Sequence, residues 1–151
     1  MRHRKTNRRA RRRGAAVVET AVALPLLILL VLGVAELSWY IHCAHALHSA
    51  ARQGARAAVY HGNSNAEVEA AVRSSVTHST GLDAGAVHVR ISALTSTGEE
   101  QYQVQNLNDN EQGVAIRVTA SVDYGRIGLA TNMLGMKGKQ LSGQAVMRRR
   151  K

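Results

Sequence analysis

From residue 15 to residue 35 the chain holds 21 residues, of which only Glu19 and Thr20 are polar. A helix of that length spans about 32 Å, close to the roughly 30 Å hydrocarbon core of a bilayer. Residues 1–13, ahead of it, carry eight Lys or Arg and no acid. Cations at one end of an apolar helix hold that end in the cytoplasm, and Trp39 and Tyr40 follow the other end where amphipathic rings sit among headgroups. The segment is therefore expected to anchor the chain, with everything beyond it outside. A secretory signal has the same basic start and apolar core, and Gly33-Val34-Ala35 offers the small residues a signal peptidase takes, so release after Ala35 is an alternative. A buried helix of a soluble protein fits poorly, because the basic stretch abuts an unbroken apolar run. Pro25 removes a backbone donor and crowds the carbonyl four residues earlier, which predicts a bend near Ala21.

The net charge of +10 lies at the ends, because residues 148–151 add four more cations while residues 14–147 hold eight Lys or Arg against ten Asp or Glu. With no Phe, one Trp and four Tyr, the rings that stack bases are scarce, and nucleic acid is not an expected partner. A length of 151 residues suits one modest domain plus an anchor. Cys43 is the only cysteine, which excludes an internal disulfide and reads as a small apolar residue on a helix. His42, His45 and His48 recur every three residues, but that spacing drifts about 60° per step around a helix, so the imidazoles do not converge and no metal is expected. Outside the span the acids are scattered, no nucleophile stands beside an oriented base, and Glu99-Glu100 reads as a solvated loop. No enzyme activity, cofactor or small-molecule substrate is expected.

Glu19 stands apart. An ionised carboxylate in hydrocarbon costs at least about 2.5 kcal/mol, so it needs a partner or an interface. Reaching back to the cytoplasmic surface is one solution. Another arises if the bond after Gly14 is cut: the new amino group on Ala15 lies four residues before Glu19 and is able to pair with the carboxylate of a neighbouring subunit. Gly14 followed by Glu19, after a basic leader and before an apolar helix, resembles the prepilin signal of type IV pilin-like proteins. Ala21-Val22-Ala23-Leu24-Pro25-Leu26-Leu27, Gly33-Val34-Ala35-Glu36-Leu37 and Ala50-Ala51-Arg52-Gln53-Gly54-Ala55-Arg56-Ala57-Ala58 are similar to the TadE-like family of tight-adherence (Flp) pilus pseudopilins. Thr20 stands where that family usually has an aromatic residue. The resemblance covers Arg13 to Val59. It implies a single-pass protein of the bacterial inner membrane, processed between Gly14 and Ala15 by a prepilin peptidase, with Glu19 as the assembly carboxylate. The implied partners are other pilin-like subunits and the pilus assembly machinery, and the implied role is that of a minor subunit. A signal-anchored or secreted envelope binding module unrelated to pili is the alternative.

Beyond the span, helix formers continue to Tyr60, and Gly62-Asn63 is a helix stop. Ala46, Ala50, Gly54 and Ala58 recur at four-residue spacing, a stripe of small side chains that admits close packing either by the chain's own sheet or by another subunit. Arg52 and Arg56 share a face near the negative helix end, an ordinary electrostatic arrangement. Ser64 and Glu67 have capping-box spacing, and Val68, Val72 and Val76 predict an amphipathic helix to about His78. Period-two alternation marks strands at Val87–Ala93, around Tyr102 and Val104, at Val114–Tyr124, and from Lys139 to Met147. Polar residues 106–113 form a turn region, and one or two helical turns are expected around Ile127 to Met133. The expected fold is α+β: a long amino-terminal transmembrane and stalk helix, a short helix, and a small antiparallel sheet, a pilin-like arrangement. The segments are a basic leader at 1–14, a transmembrane helix at 15–41, its outer continuation at 42–62, an α+β domain at 63–147 and a basic tail at 148–151.

Overall fold

Helix formers dominate residues 8–59, and neither Gly33 nor Gly54 interrupts the single helix of 52 residues, α1 (Arg8–Val59), which continues through Pro25. The structure, a computed structural model, describes residues 8–60, 64–95, 99–104, 107, 114–123, 125 and 138–148. The helix stop at Gly62-Asn63, the turns around Ile127 to Met133, most of the 106–113 turn and the ends of both basic tails fall outside these residues. The chain forms two compact units, Met1–Leu37 and Ser38–Lys151.

In the first unit every side chain from Ala15 to Ala35 is exposed. The second unit begins with the part of α1 from Ser38 onward, followed by α2 (Asn65–Thr80). The capping box forms as its spacing dictates: the Glu67 N–H donates to Ser64 Oγ at 3.3 Å, and the Ser64 N–H donates to Glu67 Oε2 at 2.7 Å. Two otherwise orphan donors are thereby satisfied at the helix start. The helix outruns the expected end at His78 by two residues, because Gly81 adopts φ 71° and its N–H donates to Thr77 O at 2.7 Å. Only a residue free of a Cβ takes that left-handed cap without strain.

Four strands follow, β1 (Val87–Leu94), β2 (Glu100–Gln103), β3 (Ala115–Asp123) and β4 (Gln140–Arg148). They make an antiparallel sheet in the order β2-β1-β3-β4. The alternation in β3 comes out as read: Ile116, Val118, Ala120 and Val122 are fully buried, and the residues between them are half-buried. Their register neighbours Ala93, Ile91 and Val87 on β1, and Met147, Ala145, Gly143 and Leu141 on β4, continue the same apolar rows. Val68, Val72 and Val76 of α2 and Cys43, Leu47, Ala50, Ala55 and Ala58 of α1 close the core from one face.

The β1–β2 hairpin departs from simple alternation. The register shifts between Ala93 and Leu94, so Ala93 lies opposite Tyr102 but Leu94 lies opposite Glu100. Tyr102, opposite buried Ala93 on the end strand of the sheet, is 47% exposed, and Val104, just past the strand, is buried with its N–H donating to Ile91 O at 2.9 Å. Ser92, between Ile91 and Ala93 in the alternating pattern, is buried as well. Glu100 is no free loop carboxylate either: its Oε1 accepts from Ser92 Oγ at 3.1 Å and from Arg117 at 3.3 Å. A buried hydroxyl needs such a partner, and the hairpin brings it one.

Candidate membrane anchor and assembly site

The exposed apolar surface of the first unit sets the physical problem. Val17, Leu26 and Leu30 are 68%, 66% and 64% exposed, and an 18-residue stretch of this helix has a mean hydropathy of 2.5 with none of it buried. Water does not tolerate a contiguous apolar surface of that extent, whereas a bilayer is its natural solvent. An α-helix is suited to that environment because its backbone groups bond within the segment. The hydroxyl of Thr20 obeys the same rule, donating to Ala16 O at 2.9 Å one turn earlier.

Gly14, Ala15 and Glu19 all lie on α1, with the backbone helical on both sides of the Gly14–Ala15 bond. Ala15 and Glu19 are exposed. Four-residue spacing puts their side chains on one face of the helix. A shallow concavity on that surface runs from Glu19 and Thr20 past Ala23 and Leu24 to Leu27 and Leu30. Glu19 and Thr20 are the polar residues at one end of this otherwise apolar surface.

In the second unit the stripe of small side chains faces the unit's own core. Ala50 and Ala58 are buried and Ala46 is 8% exposed. A Cβ added at Gly54 would run into Val72 and crowd Val118, so this glycine lets α1 pack against α2 and β3 together. A closer approach, absent from the sequence reading, occurs at Gly143 of β4, where an added Cβ would strike the backbone of Leu47 and His48. Its signal was a glycine inside an alternating strand pattern, which marks close backbone approach. Asn65, by contrast, gave no local signal in the sequence. Its side chain donates to Val104 O at 2.8 Å and accepts from the Leu107 N–H at 2.9 Å, tying the start of α2 to the segment after β2.

His42 Nε2 bonds Ser79 O at 3.1 Å, and its ring stacks on Trp39 with centroids 5.5 Å apart. His45 and His48 are exposed. Among the described residues no three His, Cys, Asp or Glu side chains are grouped as a metal site would require. Burial pushes the Cys43 thiol above its ordinary pKa, which makes it a packing residue with little thiolate character. Glu67 moves the other way, held below the usual carboxylate range first by the Ser64 N–H and then by the Ser64 hydroxyl.

No curated protein and no solved structure matches the chain. Residues 14–56 match the family model described as TadE-like protein. This TadE-like segment, running from Gly14 to Arg56, suggests membrane anchoring by the apolar helix and a part in the Tad pilus system.

Proposed function

We propose that this chain is a minor pilin-like subunit that takes part in assembling a tight-adherence pilus from the inner membrane. Residues 15–35 cross the bilayer with the basic leader in the cytoplasm, and the α+β unit lies outside. A prepilin peptidase cuts between Gly14 and Ala15. The new Ala15 amine of an incoming subunit then pairs with Glu19 of a neighbour, so the carboxylate that is costly alone in hydrocarbon becomes tolerable only in the assembled state. The helix end adds to this, since a carboxylate in the first turns of a helix is favoured by the macrodipole once the leader is gone. No group-transfer chemistry is assigned to the chain, whose role is to insert and to be joined.

The observation that carries this reading is a match to TadE-like protein over residues 14–56, beginning at the proposed cleavage glycine and containing an exposed carboxylate on an exposed apolar helix. Intact mass measurement of the membrane-extracted protein from cells with an active prepilin peptidase tests the processing step. A chain beginning at Ala15 is expected; one still beginning at Met1 removes processing from the account, and one beginning at Glu36 marks ordinary signal cleavage.

A further inference from the structure

Both helices of the second unit turn one face outward, and the two faces differ in charge. Along α1 from Ser38 to Val59 there is no acid, while Arg52 and Arg56, one turn apart, are exposed. Among the described residues neither arginine has an ion-pair partner; the pairs formed are Arg73 with Glu69 and Arg117 with Glu100. Like charges at this spacing repel, and the guanidinium fork is matched in shape to a carboxylate. The outward face of α2 offers Glu67 among small residues, with Ala66, Ala70, Ala71 and Ser74 exposed around it. Small side chains leave a flat surface on which another helix settles closely.

The two faces also match in level. His42 bonds Ser79 near one end of the pair, and Gly54 lies against Val68 and Val72 near the other. The helices therefore run antiparallel, and one step past Gly54 toward Arg56 corresponds to one step before Val68, at Glu67. A two-fold axis parallel to the helices preserves level and sets α1 of each copy against α2 of the other, the self-complementary condition an isologous contact must meet. We propose that a second copy of this chain docks on this helix layer, with Arg52 and Arg56 of each copy against the partner's Glu67. Tyr60, 70% exposed at the end of the same helix, adds an aromatic of the kind that anchors interfaces. A lipid surface fits less well. The arginines lie about 20 Å further along α1 than Trp39, the ring expected among headgroups, and that exceeds a screening length of about 8 Å. This contact does not depend on processing at Gly14 or on a role in pili.

Sedimentation of the full chain in detergent, over a range of protein concentrations, tests it with four proteins: wild type, Arg56→Glu, Glu67→Gln and the double variant. Glutamine keeps the capping box, and circular dichroism checks that the helices remain. Each single change is expected to raise the dimer dissociation constant about tenfold, the size of effect an interface hot spot gives. The double variant should associate no worse than Arg56→Glu alone, because the carboxylate it would repel is gone. A monomer at every concentration, association that ignores both single changes, or losses that multiply in the double variant each overturns the proposal.

Discussion

Gly143 is where a single atom matters most to the second unit. Its missing Cβ leaves room for the backbone of Leu47 and His48, whereas the missing Cβ of Gly54 leaves room for the Val72 and Val118 side chains. Side chains shift at moderate cost; a helix backbone does not. Gly54→Ala should destabilise the second unit by about 1–3 kcal/mol, and Gly143→Ala by more, as measured by denaturant unfolding in mild detergent. Equal losses would mean that α1 does not seat on β4 as described. Glu67 supplies the pH dependence at this scale. Its folded pKa is depressed by Ser64, so the stability it contributes is present above the unfolded carboxyl value of about 4.3 and is lost as pH falls through the folded value. Wild type and Glu67→Gln should therefore differ in Tm at pH 7 and converge at acid pH; a gap that persists there would contradict the assignment. Glu67 was legible because Ser-x-x-Glu is a local pattern. Gly143 was visible only as an interruption, since nothing local says which backbone approaches it.

At the scale of elements, local signals specified more than long-range ones. The α2 helix followed from its cap and from three valines four residues apart, and β3 followed from strict alternation with one face buried. The β1–β2 hairpin did not, because the shift between Ala93 and Leu94 depends on pairing across strands. The same holds for Asn65, whose two bonds reach residues about forty positions away. Ser64→Ala should lower stability by about 1 kcal/mol, the usual loss of an N-cap hydroxyl. Asn65→Ala should cost more than a surface change of under about 0.5 kcal/mol, because it leaves the Val104 carbonyl and the Leu107 N–H without their partner. Thermal melts of the two variants check this; an Asn65→Ala protein as stable as wild type would remove the tie between α2 and the segment after β2.

Across the whole molecule, the division of labour follows from where apolar surface is left uncovered. Among the described residues, the second unit packs Leu47, Val68, Val72, Val76, Ile116 and Val118 into one core, whereas residues 15–35 are exposed throughout. That contrast was readable from composition, because an unbroken apolar run behind a cluster of cations has few physical solutions. The purpose of the one acid in that run was not readable from geometry alone, since an exposed carboxylate on a lone helix has the same coordinates whether it meets water, headgroups or a neighbour's amine. The resemblance of residues 14–56 to TadE-like protein is what turns Glu19 from an oddity into a proposed junction. The most direct measurement is therefore the level of surface fibres on cells whose only copy of this chain carries Glu19→Gln, with membrane abundance of the protein checked in parallel. Fibres should fall well below the normal level while the protein remains in the membrane; fibres at the normal level would contradict the account.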